Sequence, residues 1–255
     1  MAQEHTNLSL GDNSELINAF RLGLSLTDST GLGCEDVWEI DHENAKTQIS
    51  EYLQYLTDSF CLALDSKVLG EGERLIRTRM DIIFFVLLAT VKMNIQSSGS
   101  HGTGTYDASV APCWVSPYDL TIGQIDGEMD HVTKESPQTT TRVDYLLRYG
   151  PDIGLHTNLV VLRMSTSKPD RGWGVLAVLA SIHRRQKKAG IKADVYGICT
   201  DSHNWIFLHV DNTGKYSRLY LDWAESHQQI TNHLCHIVGQ AVTLAKEVGG
   251  FEEPV

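Results

Sequence analysis

The chain has 255 residues, of which 42% are hydrophobic and 21% charged, an ordinary soluble globular composition with room for one large domain or two small ones. Its net charge is −11. A chain this acidic repels nucleic acid at long range, so binding DNA or RNA requires a local basic patch; the charge disfavours nucleic acid as a partner and weighs against a nuclease.

The opening, "MAQEHTNLSLGDNSEL", is polar and acidic. It lacks the basic start and apolar core of a signal peptide, which predicts an intracellular protein, cytoplasmic or nuclear. In "NSELINAFRLGLSL", Leu16, Ile17, Phe20 and Leu24 recur at helical spacing, with Ser14 as the cap. "GLGCEDVWEI" breaks that helix. "HENAKTQISEYLQYLTDSFCLAL" then sets Ile49, Leu53, Leu56 and Phe60 on one helical face. Residues 1–70 therefore read as an N-terminal helical extension, a cap on the main domain or an arm for a partner.

Residues 71–255 read as one further domain. "GEGERLIRTRMDIIFFVLLATVKM" predicts a long helix from about Glu73 to Met93, charged in its first turns and apolar in its second half. The run "IIFFVLLATV" from Ile82 is too short to span a bilayer, so no membrane is expected. "NIQSSGSHGTGTYDASVAP" reads as a Ser/Gly loop; no P-loop lysine follows "GSHGTG" and no strand precedes it. From about Leu120 strand signals dominate. "YDLTIGQIDGEMDHV" holds a first strand, "ESPQTTT" is a turn, and "RVDYLLRYG" and "TNLVVLRMS" are the next two strands.

"GWGVLAVLASIHRRQKKAG" predicts a helix whose basic end suits the negative pole of its dipole. "DVYGICTDSHNWIFLHVDNTGKYSRLYLDW" follows with two or three strands, joined by a hairpin turn at Asn212–Thr213–Gly214. "HQQITNHLCHIVGQAVTLAKEV" closes as a helix with Ile230, Leu234, Ile237, Val238 and Ala241 on one face. The order is that of an α/β core with a mixed sheet. Cys34, Cys61, Cys113, Cys199 and Cys235 are odd in number, widely spaced and without a CxxC pair, which argues for reduced thiols rather than disulfides or zinc.

Two adjacent strands carry the chemistry of interest. Asp144 sits in the middle of "TRVDYLLRYG", and "NLVVLRMSTSKPDRGW" runs out into a turn. Strand alternation puts Leu159, Val161, Arg163 and Ser165 on one face. With the element order, and with "DVYGICTDSHNWIFLHVDNTGKY", these strands resemble the PD-(D/E)XK nuclease-like superfamily over roughly residues 70–248. The C-terminal segment resembles fungal and oomycete members, in which a pattern of the form vYG..TD...W.F follows the helix; Trp205 and Phe207 would pack the sheet and Asp201 would end one strand.

The resemblance implies a restriction-endonuclease-like core, a mixed central sheet flanked by helices. It implies that Asp144 is the metal-binding aspartate and that Glu73 is the acid some members supply from the first core helix. The acid of the (D/E)XK triplet falls on Arg163 and its lysine on Ser165, so the motif is degenerate. Mg²⁺ needs oxygen ligands, usually from one or two carboxylates. Arg163 has none and is always protonated. At about 4 Å and an effective dielectric of about 20, a pair of unit charges is worth about 4 kcal/mol, so a guanidinium in the cation's place opposes metal binding. A bidentate Arg163–Asp144 pair would then replace the metal and hold the two strands in register; an arginine reaching solvent from a strand end is the simpler alternative. A migrated site would draw on Lys168, Glu128 and Asp130, with Mg²⁺ as its cofactor; otherwise no cofactor is implied.

The remaining candidates are weaker. His227, His233 and His236 lie on or near the last helix without an HExxH motif, and read as partly exposed helix histidines rather than a zinc site. Arg184, Arg185, Lys187 and Lys188 form the one basic patch able to contact phosphates, or else a solvated helix end. No GxSxG supports Ser/His/Asp catalysis. The expectation is a catalytically degenerate nuclease-like protein acting as a binding module with a protein partner; the alternative is an active metal-dependent nuclease with a rearranged site.

Overall fold

A computed structural model of the chain describes residues 25–26, 38, 47–63, 73–98, 112–115, 118–122, 139–152, 155–163, 172–192 and 194–248. In chain order the elements are β1 (Ser25–Leu26), α1 (Thr47–Ala63), α2 (Glu73–Ser98), β2 (Cys113–Val115), β3 (Tyr118–Ile122), β4 (Thr139–Val143), β5 (Tyr145–Arg148), β6 (Thr157–Arg163), α3 (Trp173–Lys188), β7 (Val195–Thr200), β8 (Asn204–Val210), β9 (Lys215–Asp222) and α4 (Trp223–Val248). The main sheet has the order β1-β9-β8-β7-β6-β5-β2, with five strands between two short edge strands. It is mixed: β6 and β7 are parallel, as are β1 and β9, and the other neighbours are antiparallel. β3 and β4 form a separate antiparallel pair.

Both faces of the central strands are buried, which is why they read as nearly continuous apolar runs. Alternation divides each strand between two cores. Tyr145, Leu147, Leu159, Val161, Tyr196, Ile198, Trp205 and Phe207 join a cluster with residues of α1, α2 and α4. Leu146, Val160, Val195, Cys199, Ile206 and Leu208 join the cluster under α3. The result is an α/β architecture with the sheet between helices.

Two glycines let α3 sit close to that sheet. A Cβ on Gly197 of β7 would lie 2.3 Å from Cγ1 of Val175, so any larger residue there would force α3 side chains to shift. Gly172 precedes α3 at φ 82°, a left-handed conformation that glycine adopts without a Cβ clash.

The structure departs from the sequence reading at several points along the chain. α2 continues to Ser98, five residues past the expected end at Met93, because Asn94–Ser98 contains no glycine or proline and the first breaker is Gly99. "RVDYLLRYG" is not one strand: Arg142 and Val143 end β4, which pairs with β3, whereas Tyr145 begins β5, which pairs with β6. Thr139–Thr141, expected in a turn, belong to β4. Asp144 is thus at the bend between two strands, not in the middle of one.

The helix expected over "NSELINAFRLGLSL" lies outside the described residues except at its end, where Ser25 and Leu26 are not helical but form β1 beside Lys215 and Tyr216 of β9. The described parts of residues 1–70 share the main core: Trp38 and Leu53 belong to the cluster on the α2 face, and α1 packs on α2 and α4. No helix among the described residues is long and apolar enough to cross a membrane.

Candidate functional site at the carboxyl edge of the sheet

The parallel strands β6 and β7 end side by side, with Arg163 in register with Thr200. Carboxyl ends of parallel strands open onto the edge where α/β proteins place ligands. Asp144 reaches this edge from β5: its backbone N–H donates to the carbonyl of Val161 at 2.9 Å. The residue is 4% exposed. A carboxylate in that setting is costly unless charged or polar groups compensate it.

α2 brings charged groups to the same edge. Its charged first turns, noted in the sequence, place Arg77 and Asp81 one turn apart and Arg79 nearby. The Tyr145 hydroxyl donates to Oδ1 of Asp81 at 2.5 Å. Burial, the bond to Asp81 and the charge of Asp81 push the Tyr145 phenol well above its ordinary value; Asp144 pushes it the same way, and Arg77 opposes them. Asp144 and Asp81 therefore act on one hydroxyl, which keeps its proton and stays a donor.

The turn between β7 and β8 closes the edge. Nη1 of Arg79, a buried residue, lies against the His203 imidazole, 3.2 Å from Nδ1. Asp201 organises this turn: Oδ1 accepts from the backbone N–H groups of His203 at 2.9 Å and Asn204 at 2.6 Å, and Oδ2 from the Asn204 amide at 2.9 Å. Burial raises the Asp201 pKa, but these bonds and the nearby His203 outweigh it and leave the carboxyl below its ordinary value. Ser202 adopts φ 74°, unusual for a non-glycine. Its buried hydroxyl oxygen has no hydrogen-bond partner among the described residues.

The sequence-predicted residues fall in different places. Glu73 opens α2 and Arg163 closes β6, but the side chains of both lie outside the described residues, as do Ser165, Lys168, Glu128 and Asp130. The expected Arg163–Asp144 contact therefore falls there too, although their backbones share the β5–β6 end of the ladder. Arg184, Arg185, Lys187 and Lys188 are at the far edge of the sheet. Between them, Gln186 Nε2 bonds the carbonyls of Leu155 and Thr157, where β6 begins, whereas Asp144 bonds β6 near its end. The basic patch and the Asp144 edge are thus at opposite ends of one strand.

The histidines also separate. His233 is 2% exposed, not partly exposed as expected: its ring meets Trp38 edge-on with centroids 5.5 Å apart. Helical periodicity could not show this, because Trp38 comes from a distant segment. His236 is at the surface and is bonded to Gln240 at 2.9 Å.

Sequence reasoning missed Arg79, Asp81, Tyr145 and His203. The usable signal was the acid and arginine at i, i+4 on α2, a spacing that places Arg77 and Asp81 on one side of the helix. Among the described residues no group of three or more His, Cys, Asp and Glu side chains is arranged to hold a metal ion. No family model matches the sequence, and neither a characterised protein nor a solved structure does.

Proposed function

We propose that the protein is a catalytically degenerate, nuclease-like α/β protein that works as a binding module for a protein partner. The reading joins the motif resemblance, with Arg163 and Ser165 at the acid and lysine positions, to one geometric observation. Asp81, the described acid that α2 brings toward Asp144, is engaged as the acceptor of the Tyr145 hydroxyl at 2.5 Å. A metal recruited by Asp144 and Asp81 would have to displace a donor that does not ionise. Arg77 adds positive charge at the same phenol, and a cation entering there would meet it at a cost set by Coulomb repulsion.

The second reading, a metal-dependent nuclease with a rearranged site, is favoured by two acids, Asp144 and Asp81, both acting on that hydroxyl. Mg²⁺ and Mn²⁺ calorimetry, with DNA and RNA cleavage on the same samples, separates the two. The expected outcome is neither binding nor cleavage in the wild type. Metal binding that disappears in Asp144→Asn, together with cleavage, would establish the nuclease instead. The double variant Arg163→Glu, Ser165→Lys tests the motif alignment itself: it restores the acid and lysine, and is expected to gain Mg²⁺ binding that Asp144→Asn abolishes.

A further inference from the structure

A second cationic feature lies on the face of the sheet that α3 covers. Strand alternation sends Tyr216, Arg218 and Tyr220 of β9 to one side. Tyr216 belongs to the cluster beneath α3. Trp173, the first residue of α3, packs against that cluster. The guanidinium carbon of Arg218 is 5.0 Å from the Trp173 ring centroid and 4.7 Å from that of Tyr220. The cation is held between two aromatic rings, one of them, Tyr220, 53% exposed.

Such a clamp uses the faces of the guanidinium and leaves its in-plane N–H donors free. Among the described residues, the Arg218 side chain has neither a hydrogen-bond acceptor nor an ion-pair partner. An arginine fixed by two rings, with no carboxylate partner among the described residues, is pre-organised for an external one. The rings have already restricted its rotamers, so little entropy remains to be lost on binding. The positive pole of α3 lies on the same side and has no side-chain cap at Gly172.

We propose that Arg218, held by Trp173 and Tyr220, binds a small ligand carrying one oxyanion, a carboxylate or a phosphate, beside a flat apolar body. A guanidinium fork matches either oxyanion, and the half-exposed Tyr220 ring supplies the surface on which the flat body rests. One fixed cation in a chain of net charge −11 suits a single anion rather than a polyanion. This site is independent of the reading of the Asp144 edge.

Calorimetric titration of the full chain with benzoate, phenyl phosphate and inorganic phosphate, at constant ionic strength, tests it. The wild type is expected to bind benzoate or phenyl phosphate more tightly than inorganic phosphate. The better of the two ring-bearing probes identifies the oxyanion. Arg218→Ala is expected to weaken that probe about tenfold or more, and Arg218→Lys less, since it keeps charge without the fork. Tyr220→Ala is expected to erase the preference for a ring. Circular dichroism and the unfolding midpoint verify that each variant is folded; Arg218→Lys carries the test if Arg218→Ala is not. No binding by the wild type, or equal binding by the folded Arg218 variants, overturns the proposal.

Discussion

Tyr145 holds a buried polar edge together through one hydroxyl. Replacing it with phenylalanine keeps the ring packed on Phe84, 5.1 Å away between centroids, and removes the donor to Asp81 together with its longer contact, 3.5 Å, to the Arg77 carbonyl. A part-buried acceptor left without its donor costs about 1–3 kcal/mol, so Tyr145→Phe is expected to lower the denaturation midpoint by that equivalent. An unchanged midpoint would mean that water serves Asp81 as well as the phenol does, and that the acid is available to a metal. His183 makes a different prediction. Burial and the charge of Lys187 lower its pKa from 6.5, while Asp211 and Asp194 oppose them. The unfolded chain therefore binds a proton that the folded chain resists, so stability falls as the pH drops through 6.5 toward the lower folded value. Unfolding midpoints measured from about pH 7.5 to about pH 5.5 should decline, and His183→Gln should flatten that decline. Equal slopes would remove His183 as the cause. At this scale the sequence exposed Asp144, since an acid inside an apolar run is conspicuous. It hid Asp81 and Tyr145, because their contact joins residues 64 positions apart.

Among the elements, α3 and β7 fit through the absence of one side chain. Gly197→Ala would put a Cβ 2.3 Å from Val175 and 2.9 Å from Leu179. Overpacking of this kind costs about 1–3 kcal/mol, and the expected result is a lower thermal midpoint that the double variant Gly197→Ala, Val175→Ala partly restores. Failure of that rescue would locate the strain elsewhere. The periods that made α3, β8, β9 and α4 legible are those of helices and strands half or wholly buried on known faces. Ile230, Leu234, Ile237, Val238 and Ala241, expected on one face of the last helix, are all buried. The division at Asp144 was not legible, because "TTTRVDYLLR" is strand-like throughout and only the pairing with β3 assigns its first half to another sheet. β2 escaped notice because Cys113–Val115 is three residues long, too short for alternation to register.

For the molecule as a whole, the open physical question is whether residues 1–70 unfold with the sheet. A polar arm tethered to a domain would leave the domain's core intact when altered. Here Trp38 meets the rings of Tyr196, Phe207, His209 and His233 at centroid distances of 5.5–6.4 Å. Leu53 of α1 is wholly buried in the same cluster. Removing its side chain leaves a cavity that α2 and α4, anchored by their own contacts to the sheet, cannot fully close. Leu53→Ala is therefore expected to cost about 2–5 kcal/mol and to shift one common transition. The measurement is denaturant unfolding followed by far-UV circular dichroism and tryptophan fluorescence. Coincident curves that move together would make α1 part of the folding unit. Two transitions, with only the weaker one shifted, would show an extension that melts by itself and leaves the sheet standing. The same experiment bears on function, because an extension that melts independently could free the α2 face for a partner, whereas one that unfolds only with the sheet keeps that face covered for as long as the protein is folded.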